Sequence, residues 1–202
     1  MNLITSETVL VSIAAGISIT YFENIFLNNN SKIIPKIIRI MTNHLCMIFE
    51  SASVYSVNSC CEHKDEIIVS TLLKNVGIIK KVEEKLMNVF TALSGSGPAF
   101  VYQFTESLID AALKNGVDVN TAREYAIQVL YGASKFMKEG KEKNPNNIKY
   151  IVTTPNGTTI AGLAQLDKHK FKHAVSEAIT YATKRGQEIE IEKMKIFSKN
   201  KF

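Results

Sequence analysis

Thr91–Gly116 reads TALSGSGPAFVYQFTESLIDAALKNG, and the fold turns on this stretch. Small residues crowd Ser94–Gly97, and Pro98 follows. Proline is favoured at the first helical position, where its missing N–H would have no partner anyway. A serine just upstream can cap such a helix. Apolar residues then recur at helical spacing: Phe100 or Val101, Phe104, Leu108 and Ala111–Ala112. Lys114 and Gly116 are stop signals. The polar stripe of Gln103, Glu106 and Asp110 is narrow, which predicts burial on more than one face, against other helices or a second subunit. Gly95-Ser96-Gly97 reads as a tight interdomain turn. It is not a dinucleotide fingerprint, because Phe100 stands where G-x-G-x-x-G needs its third glycine, and it does not match a G-x-S-x-G nucleophile elbow.

Upstream, strand and helix patterns alternate. Val9–Gly16 is β-branched and apolar, then small, and reads as a fully buried parallel strand. Ser18–Phe26 reads as a helix and Asn28-Asn29-Asn30 as a polar loop. Lys36–Ile40, ending at Met41-Thr42-Asn43, is a second strand, and Ala52–Val57 a third. Glu62–Lys74 is helical, and Val76–Val82 is a fourth strand. Such alternation means an α/β sheet. From Glu83 onward no strand pattern returns. Thr121–Glu124 is a capping box opening a helix that Gly140 stops. A short helix over Asn144–Val152 and a turn at Thr154-Pro155-Asn156-Gly157 come next. Helices at about Thr158–Asp167 and Lys170–Glu190 follow, with a frayed tail over Lys193–Phe202. The fold class expected is α/β plus all-α.

The net charge is +5, but the lysines are scattered and the arginines are only Arg39, Arg123 and Arg185. Without a basic stripe or stacking aromatics, no nucleic-acid partner is expected. Cys46, Cys60 and Cys61 form no C-x-x-C pair, so a reducing, cytoplasmic setting is the default. His44, His63, His169 and His173 show no ligand spacing, and no metal is expected. Val9–Ile19 is too short to span a bilayer and has no basic residue before it, so neither a membrane span nor a signal peptide is expected.

Three motifs carry a family resemblance. The run ALSGSGPAFVY resembles the signature of pyrroline-5-carboxylate reductases. Thr153–Gly162 resembles the family's Ser-Pro-Gly-Gly-Thr-Thr loop at the expected distance, and Val82–Met87 matches the segment before the signature. The resemblance runs from about Val9 to Ile189. It implies a dinucleotide-binding (Rossmann-like) domain, present here in its C-terminal part over 1–84. A helical dimerisation and substrate-binding domain over 85–202 would follow. It also implies hydride transfer from NADPH or NADH to the C=N carbon of 1-pyrroline-5-carboxylate, giving proline. The partners implied are a small-molecule substrate and a homodimer, or a higher oligomer, built through the helices.

By the same resemblance, Gly157, Thr158 and Thr159 bind substrate. Their N–H groups are expected to be free at a helix start, where anions bind. The Thr159 hydroxyl, next to the ring nitrogen, is the catalytic candidate. Glu84 and Glu142 match acidic substrate-side positions. Ile13, Ala14 and Ala15 match a strand end near the nicotinamide, and Asn43 matches the family's Asn turn. The Gly-rich βα unit that holds the pyrophosphate is missing, so the chain is expected to be truncated and, as written, inactive. The other readings are a non-catalytic dimerisation module and, with less support, a hydroxyacid dehydrogenase of related architecture.

Overall fold

The structure is a computed structural model and describes residues 4–28 and 33–199. The chain divides into two compact units, Met1–Gly97 with Glu177–Phe202, and Pro98–Ser176.

The first unit holds a four-stranded sheet in the order β1-β2-β3-β4. Its strands are β1 (Val9–Ser12), β2 (Lys36–Met41), β3 (Ser51–Val57) and β4 (Gly77–Lys81). β1 runs parallel to β2 (Val9 opposite Lys36), β2 antiparallel to β3 (Ile38 opposite Val57), and β3 parallel to β4 (Ser51 opposite Gly77). Helix α1 (Ile19–Asn28) follows β1, and α2 (His63–Lys74) joins β3 to β4.

Every residue of β2 but its last is buried, because the sheet is covered on both faces there. On one face Ile38, Ile40 and Tyr55 pack with Val69 of α2. The alternate residues Ile37 and Arg39 turn to the other face. β1 differs from expectation. It ends at Ser12, not Gly16, and Val11 is exposed because β1 is an edge strand of a mixed sheet.

From Glu84 the backbone stays helical, changing pitch as it goes. A 3-10 turn (Glu84–Leu86) leads to α3 (Met87–Phe90), then a π-helical segment (Thr91–Ser96), then α4 (Gly97–Lys114). The tight turn expected at Ser94–Gly97 is therefore not a turn, and no serine caps Pro98. Thr91 Oγ1 donates to the Met87 carbonyl and Ser94 Oγ to that of Phe90, both at 2.8 Å. Both hydroxyls bond back to the carbonyl four residues earlier, a pattern that bends a helical backbone where its pitch changes.

In the second unit, α5 (Val119–Glu139), α6 (Pro145–Ile151) and α7 (Thr158–Lys168) follow, and α8 (Phe171–Lys199) begins. The cap of α5 is Asp118, not Thr121. Its Oδ1 accepts the Asn120 and Thr121 N–H groups at 3.1 Å each, and a carboxylate is the stronger acceptor at a helix start. The tail does not fray at Lys193. α8 continues to Lys199, with Phe197 against the Tyr21 ring at 5.0 Å. The expected loop residues Asn29 and Asn30 lie outside the described residues.

Candidate functional site

The Thr153–Thr159 loop is built by short-range bonds. Thr153 Oγ1 donates to the Tyr150 carbonyl at 3.0 Å, and Gly157 N–H to Thr154 O at 3.0 Å. Asn156 takes a left-handed φ of 58°, which turns the chain into α7. A Cβ on Gly157 would meet Thr154 Oγ1 at 2.4 Å, so a side chain there would require the Thr154 hydroxyl to move aside. The expectation that three N–H groups are free is corrected for Gly157, whose N–H is taken by Thr154. Ala161 N–H bonds Gly157 O, and Gly157 supplies no side-chain cap. The N–H groups of Thr158 and Thr159 therefore start α7 with no partner behind them in the helix. Both residues are exposed.

Glu142 is tied to the start of α6. Its Oε1 accepts the Asn144 N–H at 2.7 Å and its Oε2 the Asn147 side-chain amide at 2.8 Å. The Asn147 bond, then that of Asn144, holds its carboxyl below the usual glutamate range.

In the first unit, Glu84 opens the helical run. Its Oε1 accepts the Ile19 N–H at 2.7 Å and Arg39 Nη1 at 2.9 Å. Asn43, 8% exposed, caps the 3-10 turn His44–Ile48 through Leu45 N–H. Its Nδ2 donates to Ser94 O at 2.9 Å, so both ends of the amide are engaged within the protein. Ile13, Ala14 and Ala15 lie beyond β1 and are exposed, Ile13 at 71%.

Sequence reasoning missed Arg39, Asn88 and Glu190, which join Glu84 in one network. Asn88 Nδ2 donates to Glu190 Oε2 at 2.8 Å, and Glu190 Oε1 lies 3.6 Å from Arg39. The available signal was an arginine inside an apolar strand, since a buried charge must be paired. Lys36 gave the same signal. It is buried with its Nζ 3.1 Å from Glu7 and 3.3 Å from Asp65. Among the described residues no helix is long and apolar enough to cross a membrane.

A family model described as pyrroline-5-carboxylate reductase dimerisation matches residues 84–189. The chain belongs to the pyrroline-5-carboxylate reductase family. It is 37% identical over 186 residues to pyrroline-5-carboxylate reductase 3 of Danio rerio, covering 92% of this chain and 62% of that protein. It is 34% identical over 187 residues to the Pisum sativum pyrroline-5-carboxylate reductase, covering 93% of this chain and 66% of that one. A solved structure of Plasmodium falciparum pyrroline carboxylate reductase, with NADP bound, superposes with a TM-score of 0.81 at 31% identity, over 91% of this chain and 71% of that one. The chain thus spans less than two thirds of the length of these first two relatives. Its fold is that of the family: part of a Rossmann-like domain followed by a helical dimerisation domain.

Proposed function

We propose that this chain carries the substrate-binding part of a pyrroline-5-carboxylate reductase, an enzyme in which the C=N carbon of 1-pyrroline-5-carboxylate takes a hydride from NADPH or NADH. The C=N π pair moves onto nitrogen, which gains a proton from solvent, and L-proline results. The observation behind this is the Thr153–Thr159 loop, whose uncapped helix start suits the substrate carboxylate, in a chain of this family. Gly157 allows the close turn, Thr158 and Thr159 offer N–H groups, and the Thr159 hydroxyl meets the ring nitrogen. Glu84 meets the product's ammonium with its carboxylate. Glu142 acts at the substrate side or, as its bonds suggest, by ordering α6 and the loop after it.

When bound, the nicotinamide supplies the hydride. Ile13, Ala14 and Ala15, small or apolar and exposed, suit a flat ring lying against them. Asn43 contributes by fixing its own turn rather than by donating its amide. No Gly-x-Gly turn joins a strand to a helix among the described residues, so no phosphate contact is assigned.

The partner is a second copy, joined through the helices. This is favoured by the second unit, in which Ala122 and Ala126 are its only buried residues. Three unpaired cysteines fit a reducing cytoplasm.

The test is twofold: L-proline titrated into the chain by calorimetry, and NADPH and NADH oxidation followed with 1-pyrroline-5-carboxylate. Saturable proline binding without measurable turnover is the expected result for the chain as written. Cofactor-dependent turnover would mark an active reductase despite the lack of a Gly-x-Gly turn among the described residues, and absence of proline binding would sink the substrate assignment.

A further inference from the structure

Arg39 sits in the middle of β2, in a strand otherwise rich in isoleucine, and is 3% exposed. A guanidinium keeps its charge when buried, so that charge must be matched in place. Two carboxylates match it, from two different elements: Glu84 Oε1 at 2.9 Å and Glu190 Oε1 at 3.6 Å. Glu190 is itself held by Asn88 through its other oxygen. Glu84 Oε1 has a second donor, the Ile19 N–H at the first residue of α1, at 2.7 Å. One oxygen of Glu84 is therefore gripped from two sides, while Oε2 makes no hydrogen bond among the described residues. The Glu84 side chain is 28% exposed, so it is not closed off from solvent.

We propose that Arg39 is a positioning residue for substrate recognition. By locking Glu84 Oε1, it presents Glu84 Oε2 to the ring nitrogen of the bound five-membered ring. The proposal rests on the substrate role given above to Glu84. A planar guanidinium suits the task because one of its nitrogens, Nη1, faces both Glu84 and Glu190 and holds its N–H groups in a fixed plane. A lysine in its place would offer a point charge on a flexible stem and hold Glu84 less firmly.

The test compares two ligands in calorimetric titrations of the full chain. L-Proline and cyclopentanecarboxylate share ring size and carboxylate, but only proline has the nitrogen that Glu84 would meet. The readout is the ratio of the two affinities. Glu84→Gln and Arg39→Gln should each cut the preference for proline roughly tenfold, as expected for a charged hydrogen bond, with cyclopentanecarboxylate affinity unchanged. Arg39→Lys should fall between them and the parent.

If Glu84→Gln leaves the preference intact, the role of Glu84 fails and the proposal goes with it. If Glu84→Gln removes the preference but both Arg39 variants keep it, Arg39 is overturned and Glu84 stands. Equal weakening of both ligands in the Arg39 variants would mark a purely structural residue and also overturn the proposal. Should Arg39→Gln not fold, Arg39→Lys decides by the same ratio.

Discussion

Thr158 and Thr159 are neighbours with different tasks. Each can give an N–H group to a carboxylate, but the hydroxyl of Thr159 alone is assigned to the ring nitrogen. Thr159→Val keeps the shape and removes that hydroxyl, so it should weaken L-proline binding by about 1–3 kcal/mol, while Thr158→Val stays within about 0.5 kcal/mol. Calorimetric titrations of the two variants, giving equal losses, would refute the assignment. Asp65 supports a prediction about pH. Its Oδ2 accepts the Glu62 N–H at 2.8 Å and lies 3.3 Å from Lys36 Nζ. The Glu62 N–H above all, and then Lys36, hold its carboxyl below its ordinary value of 3.8. A group that binds protons more weakly when folded contributes stability above its unfolded pKa and loses it as pH falls through the folded one. The melting temperature should therefore hold down to about pH 5 and drop below about pH 4. Asp65→Asn should be less stable at neutral pH and show a shallower drop. Parallel melting curves for parent and variant would count against this ion pair.

At the scale of elements, two junctions set the geometry. The first is the π-helical segment Thr91–Ser96, stitched to the end of β2 by Asn43. The same Asn amide caps the next turn, so one side chain registers strand, turn and helix together. The second is the entry to β4. Gly77 has φ 145°, and a Cβ there would lie 2.1 Å from Ser51 O and 2.4 Å from Ser51 N. Those are backbone atoms of the paired strand and cannot move aside without breaking the β3–β4 ladder. Gly77→Ala should destabilise the chain by at least about 2 kcal/mol in chemical denaturation. A loss below about 0.5 kcal/mol would mean the strand entry is looser than it stands here.

At the scale of the whole molecule, the helical unit leaves much apolar surface uncovered. Val101, Tyr102, Val129, Phe136 and Tyr150 are exposed, and Tyr125 is 67% exposed. Leu108, Ala112, Val117, Tyr125 and Val129 line an apolar groove along α4 and α5. Burying a large apolar side chain is worth about 1.5–3 kcal/mol, so a few of these residues suffice to drive association with a second copy. The chain should sediment as a dimer or larger and melt at a temperature that rises with concentration. Val129→Glu, placing a charge in the groove, should shift it toward monomer and lower the melting temperature. A parent chain that is monomeric and well folded at all concentrations would overturn this expectation.

Much of the fold was legible in the residues themselves. The apolar pattern placed β2, β3 and α2, and the cap, stop and turn signals at Thr121, Gly140 and Pro155–Gly157 placed α5 and α7, each to within a residue or two. The loop Thr153–Thr159 was legible because proline, asparagine and glycine write turn chemistry directly. Pitch and partnership were not. Ser94–Gly97 reads locally as a turn, yet it continues a helix because Thr91 and Ser94 bond back to earlier carbonyls and Asn43 reaches across from β2. Thr121 and Glu124 read as a cap, but Asp118 takes the role by starting the helix sooner. Glu84 reads as a surface acid or a ligand contact, and its pairing with Arg39 joins residues 45 positions apart. The sequence by itself determined most of the strands and helices and to which family the motifs belong. Only the tertiary structure decided which polar groups are already held, since a hydrogen bond between distant residues leaves no period in the chain.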